Sequence, residues 1–281
     1  MDFDKLSRAA ESVSQTVGSM IKIALLSRRV TVVKRAVEGD EIVVLGNGPS
    51  LSKTVEESAD FLSRKKKIAV NFAANTPLFL ELKPEFYVLA DPHFFADGNE
   101  NVDKLWETFA RKVEWDMVLF VPSNVKLRRA DSLSSNPHIT VERYNLTPVE
   151  GNRRFCHFAY SRGWGMPRPR NVLIPSIMIA LNMGFRTVYV AGADHSWMRT
   201  LSVDDNNRVV SIQPHFYKDS EKENRRVTAE YAAYPLYKIV YSFYVAFKAY
   251  FEIRDYADYL GSKVYNITPG SFIDAFERKT V

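Results

Sequence analysis

A glycine-rich loop carries the most specific chemical signal in the sequence. Its residues are Gly46, Asn47, Gly48, Pro49 and Ser50. Glycines let a ligand approach backbone amides closely and a helix start favours negative charge, so a loop between an apolar run and a helical segment predicts a nucleotide or phosphate site. The third glycine of the dinucleotide motif and the Gly-Lys-Ser/Thr of the Walker loop are both missing. The alternative is a tight turn in which Ser50 caps the next helix.

Polar residues also follow the other apolar runs of the chain. They are Asn71, Asp91, His93, Gly192, Asp194, His195 and Ser271. In an open α/β sheet the ligand binds in the crevice beyond the carboxyl ends of the strands. Together with the glycine-rich loop, these residues therefore predict one binding site along that edge of the sheet.

Three histidines are candidates for proton transfer. His93 and His195 lie at predicted strand ends, and His215 lies in the segment that follows. A neutral imidazole can take a proton from an attacking hydroxyl near physiological pH. The alternative for each is a hydrogen-bonded structural role. Cys156, next to His157, has no evident orienting acid, so thiol chemistry is not predicted.

The sequence predicts no metal site. The one Asp-x-Asp triplet, residues 2–4, lies in the predicted N-terminal helix, and zinc-binding motifs are absent. Charge on a leaving phosphate would then be met by hydroxyl or cationic side chains, although any single arginine is more often a solvated surface charge. The available cations are Arg153, Arg154, Arg162, Arg168, Arg170 and Lys218.

Short apolar strands alternating with helical segments must position these residues. Near-continuous apolar runs are typical of a parallel sheet whose two faces are both buried. We predict strands at 42–45, 67–70, 86–90, 117–121, 187–191 and 263–266, and a helix at 172–183. These elements indicate an α/β fold with a mostly parallel, Rossmann-like sheet.

The alternation stops after residue 194. A hairpin turn is predicted near 203–209, followed by a tyrosine-rich helical region over 229–259 with a break near Pro235. We predict four parts: an N-terminal helix (1–38), a nucleotide-binding α/β domain (39–194), a helical lid (195–258) and a return to the core (259–281).

Two helical stripes have more than one interpretation. Tyr234, Tyr237, Tyr241 and Tyr244 recur at spacings of three and four. Packing in the core or an interface is favoured for them over ligand contact. In residues 3–26, apolar positions at helical spacing end in a basic collar. Such a helix can lie on an anionic membrane, but packing on its own domain or on a partner is favoured.

Composition limits the class of protein. The chain has 281 residues, 46% of them hydrophobic, one cysteine and a net charge of +5, which excludes disorder and a disulfide scaffold. The positive charge suits an anionic substrate or membrane surface. Basic stretches lack interleaved aromatics, so no nucleic-acid partner is predicted. No secretion signal or membrane span is evident, and we expect a cytoplasmic protein, with contact to the inner face of the cytoplasmic membrane and homo-oligomer formation left open.

The sequence resembles the bacterial sialyltransferases of glycosyltransferase family 42 and, more loosely, the motility-accessory and pterin-diphosphokinase-like proteins that share their core. The resemblance covers about 42–95 and 171–195, and more weakly 266–276. The segment 43–51 is close to the family's first nucleotide loop, and Asn71 stands where the family has an asparagine. Two departures are Asp91, where the family has asparagine, and 195–197, where it has an aromatic pair.

The resemblance implies a variant of the GT-A fold and a metal-independent, inverting glycosyltransferase with a cytidine-monophosphate sugar as donor substrate and no cofactor. Its partners would be a sialic-acid-like donor and a glycan acceptor of the bacterial surface. The implied nucleotide contacts are Gly46 to Ser50, Asn71, Asp91, His93, Asn171, Gly192, Asp194 and Ser271. His215 would be the base, with His195 as second choice, and Tyr217 would bind the phosphate. The alternatives are a phosphoryl or diphosphoryl transferase on the same core and a non-catalytic polysaccharide assembly factor.

Overall fold

A computed structural model describes residues 3–36, 39–127, 133, 135–210 and 232–281 of the chain. Its centre is a parallel sheet. The strands of this sheet are β1 (Glu41–Leu45), β2 (Lys66–Val70), β3 (Phe86–Val88), β4 (Met117–Pro122), β5 (Ile139–Tyr144), β6 (Thr187–Ala191), β9 (Lys263–Asn266) and β10 (Glu277–Arg278). Their order across the sheet is β10-β9-β6-β1-β2-β3-β4-β5. A separate antiparallel hairpin joins β7 (Ser202–Val203) to β8 (Val209–Val210).

Helices of the described residues cover both faces of the sheet. They are α1 (Phe3–Leu26), α2 (Leu51–Glu57), α3 (Ala59–Ser63), α4 (Pro77–Leu82), α5 (Glu100–Lys112), α6 (Arg153–Ser161), α7 (Leu173–Met183) and α8 (Leu236–Tyr259). Short 3-10 turns follow three strands, at Asn71–Asn75, Pro92–Phe95 and Ser196–Thr200. No described helix is both long enough and apolar enough to cross a bilayer.

Strand β1 shows why the sheet needs cover on both sides. Successive side chains of a strand point to opposite faces. Ile42 and Val44 belong to the core cluster that contains α7, whereas Val43 and Leu45 pack with residues of α2 and α3. All four are buried. The run is therefore apolar at every position, which is what made it recognisable in the sequence.

The order of the strands places a topological switch between β1 and β6. From β1 the chain adds β2, β3, β4 and β5 in one direction, and then returns to place β6 on the other side of β1. In such sheets the crevice for a ligand opens at this switch, beyond the carboxyl ends of the two strands. The loops that follow β1 and β6 are therefore the geometric candidates for a site.

The predicted α/β fold with a mostly parallel, Rossmann-like sheet is confirmed, and the six predicted strands are present with end shifts of one or two residues. Strand β5 was not predicted because it lies at the sheet edge, where Thr140 is exposed and Glu142 and Arg143 are half-buried. Its sequence therefore lacks a continuous apolar run.

The predicted lid contains one element that belongs to the core. Helix α8 begins directly after Pro235, at the predicted break. Ala249, Tyr250 and Ile253 of its second half are buried in the same core cluster as α7. The lid boundaries at 195 and 258 stay a prediction, and within them the end of α8 forms part of the layer that covers the sheet.

Candidate functional site

The loops after β1 and β6 lie against each other at the topological switch. The amide of Gly46 donates to the carbonyl of Ala191, and that of Gly48 donates to the carbonyl of Gly192, both at 2.8 Å. A Cβ on Gly48 would lie 1.9 Å from Asp194 Oδ2 and 2.7 Å from Gly192 O. The glycine at 48 is therefore required by the contact between the two loops, and its approach to a ligand stays a prediction.

The side chain of Ser50 joins the two loops. Its hydroxyl donates to Asp194 Oδ2 at 2.8 Å, and it makes no capping hydrogen bond to the start of α2. The tight-turn alternative, with Ser50 as a cap, is therefore wrong for this side chain. The hydrogen bond from Ser50 therefore fixes the position of the Asp194 carboxylate.

A cleft of about 510 Å³ opens at this position. The predicted site residues that line it are Asn47, Gly48, Pro49, Asn71, Asp91, Asn171, Gly192, Asp194 and His195. A larger groove of about 1120 Å³ lies between α2, α3 and α4, but none of the predicted site residues lines it. His215, Tyr217 and Lys218 lie outside the described residues, so their predicted roles stay predictions.

Three asparagines of the cleft have buried polar atoms that make no hydrogen bond with the described residues. These atoms are Asn47 Oδ1, Asn71 Oδ1 and Asn171 Nδ2. An unsatisfied buried polar atom costs about 1–3 kcal/mol, so such atoms mark positions where a ligand or water completes the bonding. Two hydrogen-bond acceptors and one donor on residues that line the cleft are therefore left for a ligand or water to satisfy.

Backbone contacts fix the orientation of two of these amides. Asn47 Nδ2 donates to Val70 O at 3.2 Å, which leaves its Oδ1 as the open acceptor. Asn171 Oδ1 accepts from the amides of Leu173 at 3.0 Å and Ile174 at 3.4 Å, at the start of α7. The open donor of Asn171 is therefore held in a defined direction.

Two lining residues have left-handed backbones, namely Asn71 with φ 52° and His195 with φ 50°. This region is uncommon for residues other than glycine, although asparagine and histidine occur in it several-fold more often than most. Strained conformations of this kind cluster at functional sites, where surrounding contacts over-determine them. Asn71 directly follows β2, and His195 lies four residues beyond the end of β6, at the edge where the site was predicted.

His195 is buried and belongs to a hydrogen-bonded chain. Its Nε2 lies 2.6 Å from Tyr250 Oη, which in turn lies 3.0 Å from Asn171 Oδ1. An amide oxygen can only accept, so Tyr250 donates to Asn171 and His195 Nε2–H donates to Tyr250. Nδ1 is then the proton-free nitrogen. Burial lowers the pKa of His195 to about 3 and raises the pKa of Tyr250, so His195 is a neutral ring and a weak base.

The lowered pKa of His195 predicts a pH-dependent loss of stability. Below its ordinary pKa of 6.5 the unfolded chain binds a proton at this residue that the folded chain refuses until about pH 3. The free energy of unfolding should therefore fall, through this group, by about 1.4 kcal/mol per pH unit as the pH drops through that window. In His195→Gln, which keeps a donor for Tyr250, this fall should be absent. Urea unfolding at several pH values between 4 and 6.5 measures the free energy of unfolding of both proteins. The same dependence of this free energy on pH in the two proteins would contradict the prediction.

His93 lies beside Asp91 but is not among the residues that line the cleft. Its Nδ1 is 2.8 Å from Asp91 Oδ1, and its ring contacts Phe72 and Phe94. Asp91 also accepts from the His93 amide at 3.1 Å. The ring is therefore held behind Asp91, which itself lines the cleft.

Ser271 does not line the cleft. Its hydroxyl donates to Ala193 O at 2.6 Å and accepts from Asn266 Nδ2 at 3.0 Å. The next amide, of Phe272, donates to Asp194 O at 2.9 Å. The Ser271 hydroxyl therefore holds the loop after β6 in position instead of making the predicted nucleotide contact.

Two of the cations predicted to bind a phosphate form ion pairs away from the cleft. Arg168 pairs with Glu150, and Arg153 pairs with Asp255 at 2.9 Å. Arg170 is exposed and lines the cleft. Among the described residues it is the arginine placed to meet an anionic group there.

The tyrosine stripe does not face the cleft. Tyr237, Tyr241 and Tyr244 are more than half exposed, so the predicted packing into the core is wrong for them, while an interface stays a prediction. The cleft is instead lined by the opposite side of α8, at Ser242, Phe243 and Ala246. Tyr250, which hydrogen-bonds to His195 and Asn171, was not predicted as a site residue. The spacing of seven from Phe243 could have identified it as a residue of that side.

Comparison with known proteins supports the fold. No protein-family model matches the chain, and no curated protein sequence is similar to it. One solved structure that resembles it is that of the MAf glycosyltransferase from Magnetospirillum magneticum AMB-1. The TM-score is 0.51 at 13% sequence identity, and the similarity covers 96% of this chain and 38% of that one. This chain therefore spans less than half of that protein, and at this identity the likeness is one of fold.

Proposed function

We propose that the chain is a glycosyltransferase that binds a cytidine-monophosphate sugar in the cleft between β1 and β6. The three asparagine atoms without partners carry this proposal. An open amide oxygen at Asn47 suits a donor such as the amino group of cytosine or a ribose hydroxyl. The open Nδ2 of Asn171 suits a carbonyl or phosphate oxygen. The fold that this chain shares with the MAf glycosyltransferase is consistent with such an activity.

The proposed reaction is inverting and metal-independent. The acceptor hydroxyl attacks the anomeric carbon, the bond from that carbon to the phosphate oxygen breaks, and cytidine monophosphate leaves with the electron pair. His215 takes the acceptor proton, and Tyr217 with Arg170 stabilises the charge that develops on the phosphate. His195 is the weaker candidate for the base because burial holds its pKa at about 3. The donor is a sialic-acid-like sugar, and the acceptor is a surface glycan.

A second function is favoured by one observation. Asp91 and Asp194 are two carboxylates that line the same cleft. Carboxylates with substrate phosphates are the usual ligands of Mg²⁺, so the same core could transfer a phosphoryl or diphosphoryl group. Such a transferase would need magnesium, whereas the proposed glycosyltransferase would not.

Thermal unfolding with a nucleotide panel separates these functions. CMP, CDP, UDP, GDP and ATP are each added in saturating amounts, with and without EDTA. At about 100 times its dissociation constant a ligand stabilises the folded state by about 2.7 kcal/mol, which raises Tm by several degrees. We expect the largest rise with CMP, unchanged by EDTA. A larger rise with ATP or GDP that EDTA removes would favour the phosphoryl transferase.

Turnover then tests the assignment of the base. A His215→Ala variant should bind CMP like the unmodified chain but lose transfer from a cytidine-monophosphate sugar, because binding does not need the proton acceptor. Full transfer activity in that variant would refute the role of His215. Tight CMP binding without turnover of any donor, in the unmodified chain, would indicate a non-catalytic assembly factor.

A further inference from the structure

Helix α1 is attached to the domain by its polar side. Ser19 is fully buried, and its hydroxyl both donates to Glu150 O and accepts from Glu150 N, each at 2.8 Å. One turn earlier, Thr16 Oγ1 accepts from the amide of Asn152 at 2.8 Å. Small hydroxyl side chains therefore make much of the contact that apolar side chains make for most surface helices, and Ile23 adds an apolar contact with the core near the end of α1.

The contact is closely fitted and fixes how α1 is rotated. A Cβ on Gly151 would lie 2.3 Å from Thr16 Oγ1 and 2.5 Å from the Thr16 nitrogen. Just beyond the end of the helix, the Ser27 hydroxyl bonds to Trp164 O at 2.5 Å and to Thr147 Oγ1 at 2.8 Å. Rotating α1 to bury another side would break these bonds, so the observed side is the attached one.

The apolar stripe of α1 therefore points away from the domain. At about 100° per residue, Val17 and Ile21 lie about 160° around the helix from the buried Ser19, and Val13 lies about 120° from it. Their exposed fractions are 64%, 51% and 55%. Leu6, Met20 and Leu25 extend the stripe and are exposed to a similar extent. The favoured prediction was that this stripe packs on its own domain or on a partner. Its first part is wrong, because hydrogen bonds on the polar side hold the helix the other way round, and packing on a partner stays a prediction.

The surroundings of the stripe are positively charged. Residues 3–29 contain five lysines and arginines against two acidic residues, and of these cations Lys22 lies 3.8 Å from Glu150. Arg28 and Arg29 are exposed where the helix ends. Beside that end, Trp164 and Phe158 are exposed, and Arg162 lies 5.3 Å from the ring centre of Phe158. An exposed apolar stripe, an exposed tryptophan and arginines thus occupy one region of the surface.

This charge indicates what covers the stripe. A self-complementary contact with a second copy would bring two positively charged surfaces together, which is unfavourable. Anionic lipid headgroups attract the same charges, and the boundary between headgroups and acyl chains accepts apolar side chains and tryptophan. We propose that α1 is a membrane-surface helix that lies on an anionic lipid bilayer through Leu6, Val13, Val17, Met20, Ile21 and Leu25. The bilayer contact is independent of the function proposed for the cleft.

Vesicle sedimentation of the full chain tests the proposal. The chain is mixed with phosphatidylcholine vesicles, with or without about a third phosphatidylglycerol, and centrifuged. We expect sedimentation with the anionic vesicles, less at higher salt, and little with the neutral ones. A Val17→Glu/Ile21→Glu variant should partition about tenfold more weakly, because carboxylates at this boundary lose hydration and repel the lipid.

The matched control is Val240→Glu/Tyr244→Glu on α8, which replaces two exposed apolar residues with the same charges and should sediment like the unmodified chain. Both variants should keep the Tm of the unmodified chain, since all four side chains are about half exposed. Unchanged sedimentation of the α1 variant, or no sedimentation of the unmodified chain, would overturn the proposal. The proposal would also be overturned if light scattering showed that the unmodified chain is a dimer, that the α1 variant is a monomer, and that adding vesicles does not change the dimer.

Discussion

Replacing Asn171 by aspartate is expected to weaken CMP binding about 100-fold and to destabilise the fold by about 1–3 kcal/mol, because a carboxylate oxygen without a partner is buried in place of the amide nitrogen. The side chain has two separate tasks. Its Oδ1 accepts from the amides of Leu173 and Ile174 and from Tyr250, and a carboxylate oxygen can accept the same bonds. Its buried Nδ2 is the open donor of the cleft. Aspartate removes only that donor and adds a negative charge towards an anionic ligand.

The matched control for this substitution is Asn152→Asp. Asn152 begins α6 as Asn171 begins α7, with Oδ1 accepting from the amides of Arg154 at 3.0 Å and Phe155 at 3.3 Å. It does not line the cleft. Calorimetric titration with CMP should therefore give unchanged affinity for the control and a loss of about 2.8 kcal/mol for Asn171→Asp. Affinity of Asn171→Asp within a factor of about three of the control would show that the open donor is not used.

The sheet could be predicted from the sequence because burial on both faces leaves a visible record. Val43 and Val44 face opposite layers and are both completely buried, so neither position can be polar. The same logic fails at the edge strand β5, where Thr140 is exposed. A polar residue there is allowed by the structure and removes the signal that identifies a strand.

The position of the site could also be predicted, since it follows from topology. Asn47 and Asp194 come directly after strands that turn out to be neighbours, and the carboxyl ends of parallel strands meet at one edge. The tasks of individual side chains could not be predicted in this way. Ser50 and Ser271 are polar residues at strand ends like the others, yet their hydroxyls bond to Asp194 and Ala193. Which partner a hydroxyl takes depends on distances of a few ångströms between loops far apart in sequence.

Helix α1 shows the same limit for a helical stripe. The spacing of Val13, Val17 and Ile21 correctly predicted a helix, because period alone determines that. The direction of the stripe depended on the contacts of Ser19 with Glu150 and of Thr16 with Gly151, each of which joins residues more than a hundred positions apart in sequence. Hydrophobic periodicity gives the apolar side of a helix, and only the tertiary contact shows whether that side is buried.

Replacing Gly46 by alanine is expected to destabilise the chain by about 3 kcal/mol and to remove CMP binding. The new Cβ would lie 2.5 Å from Gly192 O, 3.0 Å from Gly192 C and 3.2 Å from Ala191 O. All three are backbone atoms, so no side chain can move aside. The loops after β1 and β6 must separate, which breaks the 2.8 Å hydrogen bond between Gly46 N and Ala191 O and moves Asn47 relative to Asp194.

Replacing Gly18 by alanine should have the opposite effect on the free energy of unfolding. Gly18 lies inside α1, and a Cβ there would have no atom within 4 Å. Alanine at this position should stabilise the chain by about 0.5–1 kcal/mol, because it restricts the unfolded chain without meeting anything in the folded one. Urea unfolding of the two variants at one pH should thus show changes of opposite sign that differ by about 4 kcal/mol. If Gly46→Ala instead unfolds at the urea concentration of the unmodified chain, the contact between the two loops does not hold the cleft together.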